Sequence, residues 1–318
     1  MKVLITGSAG FIGYHLSQKL LNKKFSVVGI DNMNNYYDPK IKSKRNLSLK
    51  KYSKYKFYKL DICNFKKIQN IFKKHKFKAI VHLAAQAGVR YSIENPFAYI
   101  KTNLEGFYNI LHLANKFKVQ NFIYASSSSV YGNQKKLPIK IESNTNSPQS
   151  LYAATKKNNE IMAESYNQIH KLNCTGLRFF TNYGNFGRPD MSIFKFTKNI
   201  INGKPIKVFN NGNHKRDFTH ISDSVEMIFR ILKKRQKTTN HEIFNIGSGK
   251  KIDLMMIIKL IEKYTDKKAK IIKEILQKGD VKETHANIQK TTLLTKYKPQ
   301  KKIENGIRDF VFWYKNFI

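Results

Sequence analysis

Residues 2–13 read KVLITGSAGFIG, an apolar run that breaks into glycines and then resumes with apolar residues at helical spacing. Lys2–Thr6 reads as a strand and Phe11–Leu21 as a helix, so the glycines occupy the turn between them. Gly7 lets the chain turn sharply, Gly10 lets the backbone approach a pyrophosphate, and Gly13 lets the helix pack closely on the strand. The first helical N–H groups, at Phe11 and Ile12, lack intrahelical acceptors and favour a phosphate. Asp31 and Asn32 follow the next strand-like run, Phe25–Ile30. A carboxylate there accepts hydrogen bonds from ribose hydroxyls and repels a 2′-phosphate, which predicts NAD rather than NADP.

Outward from this turn, strand-like and helix-like segments alternate. Lys56–Leu60 reads as a strand, Phe65–Lys74 as a helix, Ala79–Leu83 as a strand, Phe97–Phe117 as a helix and Asn121–Ala125 as a strand. The pattern predicts an α/β fold, a doubly wound parallel sheet with helices on both faces. Asp61 and Ile62 end the third strand, where the carboxylate meets the adenine amino group or merely caps the helix at Phe65. Ala84, Ala85 and Gln86 end the fourth, small residues that leave room for a cofactor. A loop over 137–150 leads to a long helix, Leu151–His170, and a strand, Cys174–Phe179. Residues 1–182 are therefore expected to hold the cofactor, with later segments returning to them. Residues 183–318, where Ile206–Phe209, Glu242–Ile246 and a helix over Ile303–Phe317 stand out, are expected to form mainly a smaller, partly interwoven substrate lobe.

Tyr152 and Lys156 lie four apart near the start of the long helix, so both face one side. A phenol titrates near pH 10 in water, and a nearby ammonium with a helix N-terminus and a nicotinamide would favour the phenolate. Tyr152 is then a base for a sugar hydroxyl. Residues 125–132 read ASSSSVYG and run on from a buried strand, which puts Ser127, Ser128 and Ser129 at the mouth of the cofactor cleft.

With these residues in view, the chain resembles the extended short-chain dehydrogenase/reductase superfamily and, within it, the UDP-glucuronate 4-epimerases. The likeness is carried by residues 82–92 (HLAAQAGVRYS), 125–132, 150–157 (SLYAATKK), 178–181 (RFFT), 187–191 (GRPDM) and 216–219 (RDFT). It implies a Rossmann-like fold and a bound NAD that is regenerated in each cycle. It also implies C4 oxidation by Tyr152, Lys156 and Ser127, turnover of a 4-keto sugar, and re-reduction from the other face. Thr181 and the serines become candidates for a uronate carboxylate, Arg188 for contact with it or for domain closure over it, and Arg90 and Arg216 for the pyrophosphate, with a structural ion pair the alternative for each arginine. Residues 277–281 (QKGDV) resemble a nucleotide-contacting loop that contributes Asp280, although Lys278 and Lys282 replace expected prolines. Related dehydratases and decarboxylases carry acids where Ser127–Ser129 stand, and neutral-sugar epimerases tend to carry Asn in place of Thr181. Asn182, Asn185 and Phe186 depart from the family pattern beside the expected carboxylate pocket.

Composition frames the alternatives. The 318 residues carry 59 Lys and Arg against 21 Asp and Glu, a net charge of +38. The lysines are dispersed and arginine is scarce, which reads as surface drift that speeds capture of an anionic sugar nucleotide rather than as a nucleic-acid surface. No segment reads as a secretory signal or a membrane span. Cys63 and Cys174 read as reduced thiols, and with them comes a cytoplasmic expectation. No metal site is expected. The long helices suggest a homodimer, by analogy with relatives. A neutral or N-acetylated UDP-hexose epimerase, a UDP-glucuronate decarboxylase and a non-enzymatic NAD-binding scaffold are the competing readings.

Overall fold

The computed structural model describes residues 1–235, 240–277 and 279–317, so Lys278 lies outside the described residues. Seven strands form one parallel sheet in the order His241–Ile246, Cys174–Phe179, Asn121–Ser127, Ala79–His82, Lys2–Thr6, Ser26–Asp31 and Tyr55–Lys59. The first strand pairs with both the second and the fourth. The winding direction reverses between them, and a crevice opens at the carboxyl ends of the strands. This is the doubly wound sheet expected from the alternation.

The central strands are buried on both faces, which their predominantly apolar residues suit. One core packs the helices Phe11–Asn22 and Ile221–Lys234 against the sheet. A second packs Phe65–Lys74 and Phe107–Lys116 on the opposite face. A third core lies in the C-terminal part, where Ser192–Ile201, Leu254–Thr265 and Ile303–Phe317 close around Phe194, Phe310 and Trp313.

One local expectation needs correction, and one helix was not foreseen. The helix expected over Phe97–Phe117 is not uniform, since Ile100–Gly106 winds as a π-helix before the α-helix resumes at Phe107. Gly106 there lies so close to Ile62 that a Cβ would stand 2.6 Å from its Cδ1. In addition, Pro39–Lys50 is a helix, with the Asp38 side chain accepting from Lys40 N and proline at its start. It buries Lys42, Arg45 and Asn46 toward the fold. Among the described residues, no helix is long and apolar enough to cross a membrane, and Cys63 and Cys174 are unpaired.

Candidate active site

A cleft of about 1180 Å³ lies at the carboxyl ends of the strands, between the sheet and the C-terminal part. On its sheet side, Gly7 adopts φ +71 and donates its N–H to Ile30 O at 2.7 Å, which closes the turn. A Cβ on Gly13 would lie 2.1 Å from Gly7 O, so the helix seats on the turn only with glycine there. Gly10 caps the helix Phe11–Asn22 without a side chain, and Gly10, Phe11 and Ile12 line the cleft. Asp31 is buried on the same wall, with Oδ2 accepting from Ala9 N at 3.2 Å and Oδ1 from Met33 N at 2.9 Å. Two such bonds leave a carboxylate further acceptor capacity.

Asn32 lines the cleft, and its Nδ2 donates to Asp61 Oδ2 at 3.0 Å. Asp61 also accepts from Cys63 N at 2.8 Å. Burial would raise its pKa, but the Asn32 and Cys63 hydrogen bonds outweigh this and hold it low. The cap of the helix Phe65–Lys74 is Asn64, which removes that alternative role for Asp61. Ile62, Ala84, Ala85 and Gln86 line the cleft beside it. The backbone of Gln86 is clamped by Asn103 at 2.8 and 3.0 Å, while its buried Nε2 makes no hydrogen bond of normal geometry among the described residues. Uncapped helical N–H groups, an acid at the end of the second strand and a buried amide donor fit a dinucleotide.

The helix Leu151–His170 starts at Ser150, whose hydroxyl accepts from Ala153 N at 3.1 Å. Tyr152 and Lys156 both line the cleft, as does the serine run. Ser127 Oγ donates to Ser129 Oγ at 3.1 Å and accepts from Ser129 N at 3.2 Å, which wraps Ser128 into a short 3-10 turn. Lys156 is 2% exposed and donates from Nζ to Ala125 O at 2.9 Å. Burial pulls its pKa down to about 7.

The expectation that Lys156 itself lowers the phenol's pKa needs correction. Burial dominates at Tyr152 and raises its pKa, opposed by the hydrogen bond to Ser127 and by the charge of Arg188.

The other wall gathers Arg90, Arg216 and Asp280. Arg216 Nη2 donates to Asp280 Oδ1 at 2.9 Å, and Nη1 to Lys282 O at 2.7 Å. Arg90 lies 3.9 Å from the same carboxylate, with its guanidinium 4.4 Å from the centre of the Phe209 ring. Thr181 and Arg188 also line the cleft, and Arg188 is paired with Asp190.

The departures from the family pattern turn out to face the protein. Asn182 lines the cleft, but its amide accepts from Ser224 Oγ and donates to Phe180 O at 3.0 Å. Asn185 presents its backbone oxygen to His15 Nε2 at 2.8 Å. Phe186 packs among Tyr14, Trp313 and Phe317. The sequence reading missed Tyr36, Lys42, Phe209 and His214, all on the cleft wall. Only the Asp38-Pro39 helix start signalled any of them.

Comparison with known proteins agrees with this geometry. The model of the NAD dependent epimerase/dehydratase family matches residues 3–247. An uncharacterized protein of Methanocaldococcus jannaschii is 49% identical over 314 residues, covering 98% of this chain and 95% of that one. The UDP-glucuronate 4-epimerase of Thermodesulfobacterium geofontis is 42% identical over 316 residues, 99% of this chain and 96% of its own. A crystal structure of the UDP-glucuronic acid 4-epimerase from Bacillus cereus, in complex with UDP-glucuronic acid and NAD, superposes with a TM-score of 0.94. That match has 31% identity and covers 100% of both chains.

Proposed function

Because this chain belongs to the NAD dependent epimerase/dehydratase family, we propose that it interconverts UDP-glucuronate and UDP-galacturonate by oxidation and re-reduction at C4. The observation that carries the reading is one cleft lined by the glycine turn, by Ser127, Tyr152 and Lys156, and by Arg90, Arg216 and Asp280. NAD, when bound, supplies acceptance and return of the C4 hydride. It would be held by Gly7, Gly10, Phe11, Ile12, Gly13, Asp31, Asn32, Ile62, Ala84, Ala85, Gln86, Tyr152 and Lys156, with Asp61 acting through Asn32.

Tyr152 accepts the C4 hydroxyl proton, Ser127 holds that hydroxyl, and Lys156 anchors the helix against Ala125. The 4-keto sugar is a β-keto acid, which loses CO₂ when the bond to its carboxylate aligns with the carbonyl π system. Ser128, Ser129, Thr181 and Arg188 hold the carboxylate out of that alignment. Arg90 forks onto the pyrophosphate, and Arg216, whose Nη1 and Nη2 are engaged by Lys282 O and Asp280, adds its charge there, beside Asp280 at the nucleotide. Residues 1–182, with the strand His241–Ile246 added, serve the cofactor, and the remaining residues mainly serve the sugar nucleotide. A cytoplasmic enzyme supplying uronate units for polysaccharide synthesis fits the two unpaired thiols and the anionic product.

The test is to follow UDP-glucuronate with the purified protein by NMR. A mixture with UDP-galacturonate, without CO₂ or net NADH, is expected. Release of a UDP-pentose would make the protein a decarboxylase, and inertness toward UDP-glucuronate with turnover of UDP-glucose would make it a hexose epimerase.

A homodimer completes the reading. Phe97, Ile161 and Ile169 are 83%, 55% and 70% exposed on the two long helical segments, apolar residues that pairing would cover. Light scattering is expected to give twice the chain mass, with Ile161→Glu shifting it to the monomer. A monomeric parent protein would end this assignment.

A further inference from the structure

In the cleft, two separate segments of the chain meet at one carboxylate, that of Asp190. Arg188 donates from Nε to Asp190 Oδ1 at 3.0 Å and from Nη2 to Oδ2. Tyr36, on the segment after the strand Ser26–Asp31, donates its hydroxyl to Asp190 Oδ2 at 3.1 Å. Tyr36 is itself fixed, since its ring packs 4.9 Å from Tyr91. Its hydroxyl also stands 2.7 Å from where a Cβ on Gly88 would be. Tyr36, Arg188 and Asp190 all line the cleft with Tyr152.

Asp190 thus occupies one of the two edges, Nε with Nη2, by which the guanidinium can fork onto a carboxylate, and it offsets the charge that the remaining Nη1 edge presents to a substrate. A guanidinium left free in a cleft of low effective dielectric would grip a carboxylate much harder than in water. Such a grip stabilises the ground state, and a uronate whose ring must turn over carries its carboxylate with it. We propose that Asp190, held by Tyr36, is a positioning residue that limits the hold of Arg188 on the substrate carboxylate, so that the uronate is recognised without being pinned. This inference rests on the uronate reading above.

The experiment compares Asp190→Asn and Tyr36→Phe with the parent, all loaded with NAD. It measures kcat and KM for UDP-glucuronate and binding of UDP-glucose, which lacks the carboxylate. In Asp190→Asn, KM for UDP-glucuronate is expected to fall about 10-fold, the scale of a charge-assisted hydrogen bond. Its kcat should fall in parallel, and UDP-glucose affinity should stay within about twofold, because that ligand offers no carboxylate to Arg188. Tyr36→Phe, which keeps the ion pair, should move both constants the same way by about 2- to 3-fold, as for one neutral hydrogen bond.

Equal changes for both sugars, or weaker binding of UDP-glucuronate, would overturn the inference. If Asp190→Asn fails to fold, unchanged constants in Tyr36→Phe would overturn it as well. A parent that leaves UDP-glucuronate unchanged would overturn the functional reading and this inference together. An active parent with unmoved selectivity in the variants would overturn the inference alone.

Discussion

Tyr152→Phe is expected to keep NAD and UDP-glucuronate bound while turnover falls by at least ~10²-fold, the scale of losing a general base. The substitution removes one oxygen and little else. The ring keeps its edge-on contact with Tyr99, whose centroid lies 6.1 Å away, and Lys156 keeps its bond to Ala125. The loss should therefore fall on kcat, with KM nearly unchanged. Burial opposes the phenolate and outweighs Ser127 and Arg188, which favour it. Ser127 alone is a poor substitute, since an alcohol is a far weaker base than a phenolate. Single-turnover NMR of the two epimers checks the prediction, and turnover near the parent's would remove Tyr152 from its assigned role.

The parts of this site that were legible in the sequence are those whose geometry is local. The glycine turn, the four-residue spacing of Tyr152 and Lys156, and the serine run each lie within a single turn, helix start or strand end. Short-range sterics fix such features before the rest of the chain is placed. The helix Pro39–Lys50 was obscured because its inward face carries Lys42, Arg45 and Asn46, so hydrophobic periodicity is missing where burial is real. Arg45 is fully buried with its two terminal nitrogens held by Ala9 O, Tyr37, Phe186 O and Gly187 O, partners as distant as residue 187. The same holds for Tyr36 and Asp190, 154 residues apart and in contact. Asn182, a departure from the family pattern beside the expected carboxylate pocket, lines the cleft, yet its amide is engaged by Ser224 from the helix Ile221–Lys234, which periodicity in an irregular region did not reveal. The π turn at Ile100–Gly106 belongs to the same class, since Gly106 packs against Ile62 from a distant strand end.

Glu160→Gln is expected to destabilise the folded protein by about 3–5 kcal/mol, the cost of leaving one member of a buried ion pair alone. Glu160 is 2% exposed and Arg178 3%. Oε1 accepts from Ser126 Oγ at 2.6 Å and from Arg178 Nε at 2.8 Å, and Oε2 accepts from Arg178 Nη2 at 2.8 Å. An amide retains one acceptor but turns a donor toward a guanidinium that has no water to retreat to. The remaining Arg178 contacts, Ile141 O at 2.8 Å and the Tyr131 ring at 4.7 Å, offer no opposite charge. Adding Arg178→Met to Glu160→Gln should recover part of the loss, because the isolated charge disappears with it.

This pair also ties function to the fold. Glu160 lies one helical turn beyond Lys156, and Ser126 directly precedes Ser127, so the pair sets the distance between the phenol helix and the serine strand. Even where the variant folds, kcat should fall more than KM rises, since the reacting groups depend on that spacing and the nucleotide grip does not. Urea unfolding of the NAD-loaded protein, with kinetics on the folded fraction, decides the matter. A single variant as stable as the parent would mean that Arg178 is balanced by its carbonyl and ring contacts. A stability loss with kcat/KM untouched would mean that the pair holds the core and leaves the catalytic spacing to Lys156 and Ala125.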